Sequence, residues 1–89
     1  MDIVHDADAH QFHATLEGHR GELDYALQAG TMIITHTGVP PAIGGRGVAA
    51  ELTRAALAAA RREGWTVLPA CSYAAAFIRR HPEFSDLLA

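Results

Sequence analysis

There is no lysine in this chain; all seven basic residues are arginine. Its cations therefore hold permanent charge and offer forked donors rather than point charges. Cysteine is nearly absent too. Cys71 stands alone, so no internal disulfide staples the fold. No apolar run approaches the roughly 18–20 residues that cross a bilayer, which excludes a membrane helix. Met1-Asp2-Ile3-Val4-His5-Asp6 lacks a basic segment followed by an apolar run and does not read as a signal peptide. Positive charge is not in excess either: the net charge is −3, which argues against a general nucleic-acid coat. What is present is the composition of a folded protein, 49% apolar and 19% charged, and that excludes a disordered tail. Eighty-nine residues allow one domain, spanning 1–89. A chain so short buries only about 60–65% of the surface its unfolded form exposes. The expectation is a small, soluble, cytoplasmic domain with no membrane or nucleic-acid partner, monomeric or weakly dimeric.

The first half of the chain reads as strands. Ile3 to His5 is a short edge strand, and Asp6 to His10 a polar connection. Gln11 to Glu17 alternates, with Phe12, Ala14 and Leu16 on one side, the period of a half-buried strand. Gly18-His19-Arg20-Gly21 reads as a turn. Glu22 to Gln28 alternates again through Leu23, Tyr25 and Leu27, and Ala29-Gly30 is a second tight turn. Thr31 to Thr37 is rich in β-branched residues and suits an interior strand. Three strands joined by short turns form an antiparallel meander. Pro40 and Pro41 then end the pattern, because proline cannot continue a ladder.

The second half reads as helix, strand, helix. Val48 to Glu63 carries apolar residues at 48, 52, 55, 56 and 59, one face of a helix. Arg61 and Arg62 complement its dipole, and Gly64 stops it. Trp65 to Pro69 is a short apolar strand. Tyr73 to Arg80 is a second helix with Ser72 as its natural N-cap. Phe84, Leu87 and Leu88 are expected to dock the tail on the body.

The informative junction is a strand, a glycine-dense loop and a helix start. Ala42-Ile43-Gly44-Gly45-Arg46-Gly47 runs directly into the first helix. Free N–H groups converge at such a terminus and the helix dipole adds positive charge. Glycine lets a ligand approach the backbone, and Arg46 adds a forked donor for phosphate. This predicts an anion site, for a pyrophosphate in the first instance; a merely flexible loop is the alternative. A Walker loop is excluded, since its lysine and the following Ser or Thr are missing. The Gly-x-Gly-x-x-Gly spacing of dinucleotide sites also fails.

The stretch His36-Thr37-Gly38-Val39-Pro40-Pro41-Ala42-Ile43-Gly44-Gly45-Arg46-Gly47-Val48-Ala49 resembles the core acetyl-CoA-binding element of the Gcn5-related N-acetyltransferases. Pro69-Ala70-Cys71 and Arg80-His81-Pro82 extend the likeness to the very small, single-domain branch of that superfamily. The resemblance implies an α+β fold: an antiparallel meander followed by helix, strand and helix around a mixed central sheet. It further implies an enzyme that moves acetyl from acetyl-CoA to an amine, on a protein or a small molecule. The pantetheine arm would pair with Thr37, Gly38, Val39 and Pro40. The pyrophosphate would sit on Ile43, Gly44, Gly45, Arg46, Gly47, Val48 and Ala49. Ser72 joins this set at the second helix start, and Arg80 and His81 fall near the adenine end or in tail packing. Cys71 would mark the notch that holds the thioester. The chain departs from the superfamily at Ala42, where Gln or Arg is often found. It departs again at Phe77, Ile78 and Arg79, where a tyrosine often protonates the departing thiolate. Helices that build the acceptor site in larger members are also missing. A CoA-binding or protein-interaction module with little catalysis is the alternative function.

Cys71 has two readings: a catalytic nucleophile or acid at a helix start, or a small buried apolar residue. His36 could deprotonate an acceptor amine, or simply bond a neighbouring strand. Tyr73 could reach the notch or only pack. His10 and His13 should not converge, and His5 and His19 lack partners at ligand spacing, so no metal is expected.

Overall fold

The computed structural model describes residues Met1–Ala89. Five strands form one mixed sheet in sequence order: β1 (Ile3–Asp6), β2 (Gln11–Leu16), β3 (His19–Gln28), β4 (Thr31–Gly38) and β5 (Thr66–Pro69). The first four pair antiparallel, and β5 joins β4 in parallel. The crossover between them is α1 (Val48–Glu63); α2 (Ser72–Arg80) follows β5, and a 3-10 turn over Pro82–Leu87 closes the chain. The α+β architecture and its element order are those expected from the sequence.

Two tight loops set the register of the meander. Glu17-Gly18 and Ala29-Gly30 each place both residues at positive φ, between 51° and 80°. That is the geometry that matches the twist of a two-residue hairpin. The first turn is therefore Glu17-Gly18, and the expectation of a turn over residues 18–21 is corrected: β3 already begins at His19. Gly21 lies inside β3 and is buried. A Cβ built there would stand 2.8 Å from Cγ1 of Val48, so its glycine serves close helix-on-strand packing instead of a turn.

All buried sheet residues lie on one face: Phe12, Ala14, Gly21, Leu23, Tyr25, Met32, Ile34 and Val67. The helices cover this face, with Leu52, Ala56, Leu57 and Ala60 of α1 and Ala74, Phe77 and Ile78 of α2 joining the same 18-residue core. At the β1 end His5 stacks on Phe12 at 4.0 Å, and its Nε2 lies 2.7 Å from the Tyr25 hydroxyl. Burial there pushes the His5 imidazole below its ordinary pKa. The opposite face carries no buried residue. It presents Gln11, His13, Glu22, Asp24, Ile33 and His36 in consistent register, with Leu68 47% exposed beside Ile33. The sheet is thus covered on one side only.

Several local expectations need correction. β5 begins at Thr66, because the Trp65 N–H is taken by the carbonyl of Ala60. Cys71, not Ser72, is the N-cap of α2, and Ser72 is its first helical residue. In the tail Leu87 is buried, but Leu88 stays 43% exposed; what docks there is backbone, in a parallel bridge from Leu88 to Val67. Arg61 holds this tail through two contacts with Asp86, at 2.8 and 3.0 Å.

Replacing Gly21→Ala should push Val48 off β3. Overpacking of this kind costs about 1–3 kcal/mol, and thermal unfolding followed by circular dichroism should show a lower Tm. An unchanged Tm would mean that α1 does not press on β3 as described.

Candidate functional site

β4 and β5 pair over four positions, from Thr31–Thr66 to Ile34–Pro69. Pro69 then offers no N–H, and the last link is the Cys71 N–H on the Ile34 carbonyl at 2.9 Å. Beyond that point β5 turns into α2, while β4 runs on to Gly38. A β-bulge accompanies the parting. The β3–β4 register slips between Asp24 and Tyr25, which pair with His36 and Ile34, leaving Thr35 as the extra residue. Its hydroxyl donates to the Asp24 carbonyl at 3.3 Å. A bulge bends its strand and re-aims the residues after it. Residues 35–38 therefore have β3 on one side and no strand on the other.

Cys71 sits where the strands part. Its Sγ lies 3.7 Å from Oγ1 of Thr37. Burial pushes the thiol up, but the N–H of Ala74, the Thr37 hydroxyl and the N–H groups of Tyr73 and Thr37 outweigh it. The thiol therefore titrates below its ordinary value. None of the first-turn N–H groups reaches the sulfur at full capping geometry, so the effect comes from their orientation and the helix dipole. This arrangement holds a thiolate better than water does.

From Cys71 the site continues along the loop. A cleft of about 320 Å³ is lined by Val39, Ile43, Gly44, Gly45, Gly47, Val48, Ala49, Ala50 and Tyr73. A 3-10 turn over Pro41–Ile43, which the sequence did not signal, buries Ile43 beneath it. Gly45 and Gly47 both adopt positive φ. Gly47 is the N-cap of α1 and has no side chain to cap with. The first intrahelical bond is the Glu51 N–H on the Gly47 carbonyl, so the N–H groups of Val48, Ala49 and Ala50 have no acceptor within the chain. An uncapped, glycine-lined helix start has the free donors and dipole that suit an anion.

The other expected residues fall around this cleft in different ways. Thr37 and Gly38 lie on the free stretch of β4, and Pro40 follows it. Arg46 is exposed and pairs with Glu17 across the β2–β3 turn, a contact weak enough to exchange for a ligand anion. Ser72 is at the α2 start. Arg80 and His81 lie at the far end of α2. His81 is engaged there, its Nδ1 2.8 Å from the Phe77 carbonyl and its ring stacked on Phe77 at 4.1 Å. Sequence reasoning missed Ala50 and Arg54. Arg54 caps the Phe77 ring at 5.3 Å. Burial raises the Tyr73 phenol, and the Arg80 and Arg54 guanidiniums partly offset the rise. Arg54 could have been found from its place on the α1 face towards α2, given the packing of the two helices. Sequence reasoning also missed the approach of Glu22, Asp24 and His36, whose ligand atoms lie within 4.8 Å of one another, because it depends on the bulge. A second cavity, of about 370 Å³ between Pro69, Ile78, Arg79 and Leu88, is separate from the loop.

A family model described as GCN5-related N-acetyl-transferase matches residues 11–87. No curated protein matches the chain. Among solved structures, the solution structure of a GCN5-like protein from Staphylococcus aureus superposes with a TM-score of 0.76. The two share 24% identity over 99% of this chain and 87% of the other, a likeness of fold.

Alkylation of Cys71 by iodoacetamide should show a pH midpoint below that of an ordinary cysteine, since the thiolate is the reacting form. Thr37→Val removes one donor and should move the midpoint up. A midpoint at or above the free-thiol value would refute the thiolate-stabilising geometry.

Proposed function

The chain belongs to the GCN5-related N-acetyltransferase family, and from that premise we propose that it transfers acetyl from acetyl-CoA to an amine with Cys71 at the reacting centre. The observation that carries this reading is the continuity of the site. An unpaired stretch of β4 leads from the Cys71 sulfur to a helix start with three unengaged N–H groups.

The residues fit an extended ligand with a diphosphate at one end and an amide-bearing arm at the other. The N–H groups of Val48, Ala49 and Ala50, with Gly45 and Gly47, would hold the diphosphate. Arg54 and Arg80 add positive charge to the same side of the molecule. The free backbone of Thr37 to Val39 would pair with the amide-bearing arm as an added strand. Bound in this way, acetyl-CoA supplies an activated acetyl thioester. The Cys71 thiolate attacks the acetyl carbonyl and takes the group as its own thioester, and the CoA sulfur leaves with a proton from solvent. The Thr37 hydroxyl and the α2 N–H groups steady the sulfur when it later departs. Tyr73, whose phenol is held protonated, borders the cleft but does not reach Cys71 in any hydrogen bond of the structure. Holding the acetyl group and amine together provides the remainder of the acceleration.

Calorimetry should record binding of acetyl-CoA, and saturation at 100 times its Kd should raise stability by about 2.7 kcal/mol. Intact mass after mixing should rise by about 42 Da, the mass gained on acetylation, expected for covalent catalysis. Cys71→Ala should keep the binding and lose both the mass gain and CoA release. Binding without CoA release to any amine would favour the CoA-binding module instead, and no binding at all would end the acetyl-CoA reading.

A further inference from the structure

We infer that the cavity bounded by β5, α2 and the tail is a second binding site, and that it takes a small aliphatic carboxylate whose chain lies on the cavity walls and whose head meets Arg79. Its lining shares no residue with the glycine-lined cleft, so the site goes beyond the acetyl-transfer reading and does not depend on it.

The walls follow from helix spacing. Ala75, Ile78 and Arg79 stand at i, i+3 and i+4 on α2, which puts them on one face. Pro69 at the end of β5 and Pro82, Ser85 and Leu88 of the tail complete the lining, around a volume of about 370 Å³. At about 30 Å³ per heavy atom, the share of one molecule in liquid water, such a space holds about a dozen heavy atoms. The walls are fixed before anything binds. Arg61 holds the tail, reaching Asp86 at 2.8 and 3.0 Å and the Glu83 carbonyl at 3.2 Å. Leu88 is pinned by its bridge to Val67 and by the Ala89 N–H on the Val67 carbonyl at 2.9 Å. Its side chain is nonetheless exposed, while Ile78 of the same lining is buried. A preformed, mainly apolar pocket with very few polar groups is the usual form of a small-molecule site.

Polarity selects the ligand. The chain's three ion pairs use Arg46, Arg61 and Arg62, and Arg79 lines the cavity with no carboxylate partner. Glu83, next to Pro82, neither lines the cavity nor pairs with Arg79. Arg79 is exposed, so its stem can lie on apolar surface with the guanidinium at the rim. Ser85 already donates its hydroxyl proton to the Pro82 carbonyl at 2.8 Å. One cationic fork then stands over apolar walls, a match for a single carboxylate. A peptide backbone finds nothing to join. Pro69 and Pro82 offer no N–H, and the outer edge of β5 is paired with the tail at Val67. No aromatic ring lines the space, which favours an aliphatic chain over a stacked ring or base.

The test uses octanoate, which is of this size, with octan-1-ol as its uncharged analogue. Titrated into the isotope-labelled full chain below its micelle-forming concentration, octanoate should bind saturably. The amide resonances of Ala75, Ile78, Arg79, Ser85 and Leu88 should move, those of residues 44–50 should not, and acetyl-CoA should not displace the ligand. Octan-1-ol should bind wild type more weakly than octanoate. Arg79→Gln should weaken octanoate about fivefold or more, the upper range for an exposed ion pair, and leave octan-1-ol unchanged. Ala75→Leu fills the cavity from the helix and should lose saturable binding. Circular dichroism checks both folds, and should Ala75→Leu not fold, the exposed replacement Arg79→Gln carries the test. No saturable binding, resonance changes centred on residues 44–50, displacement by acetyl-CoA, or equal affinity for octan-1-ol would each overturn the inference. So would a leucine-terminated peptide that moves the same resonances and binds more tightly than octanoate, which would give the site to a protein partner. A dimer in sedimentation velocity that octanoate splits would give it to a second copy of the chain and overturn the inference as well.

Discussion

Pro69 takes the β4–β5 ladder apart, and the loss of that one donor shapes the cleft between β4 and α2. While the ladder holds, Ile34 and Val67 face the helices as part of an ordinary core. When it ends, β4 keeps its place through β3 alone and leaves one side of its backbone without a partner. A free strand edge is usually a hazard that folds cover or blunt. Here the edge is short, bordered by α2, and leads into a helix start that is also short of partners. The unmet hydrogen-bonding capacity of both elements lies on one line.

The economy of the fold follows from its one-sided core. Eighteen apolar residues occupy the space between the sheet and two helices, and the other face is left to polar side chains. Because packing makes no claim on that face, residues there are free to carry charge. In the core the opposite holds. Gly21 has to be small because Val48 rests on it. Thr53, the one buried polar side chain, satisfies its hydroxyl on the Ala49 carbonyl at 2.8 Å.

Much of this was legible in the sequence. Period-two alternation located β2 and β3, and the apolar face between residues 48 and 59 with the Gly64 stop gave α1 its observed limits. The glycine-dense loop was legible as an uncapped helix start with glycines at positive φ, because these are local properties of a few residues. What escaped was non-local. Gly21 looked like turn punctuation because its reason is a helix far along the chain. Ser72 looked like the N-cap because serine is the commoner capper, while Cys71 occupies that position through its link to Ile34. The corner of Glu22, Asp24 and His36 was illegible because a single extruded residue, Thr35, decides which side of the strand His36 takes. Alternation counted straight through Thr31 to Thr37 would have put His36 among the core residues.

The β2–β3 and β3–β4 hairpins turn on two-residue loops and the β1–β2 connection on residues 7–10, so the contacts of β1 to β4 close over short lengths of chain. The parallel pairing is different: Thr37 and Cys71 are 34 residues apart, and α1 has to form between them. Closing the longer segment costs more chain entropy, and such distant contacts slow the search for the native state. The meander and its turns are therefore the natural nucleus, and the parting of β4 from β5 is among the last features to assemble. A chain stalled just short of completion would hold most of its sheet and still lack the junction of Thr37 with Cys71.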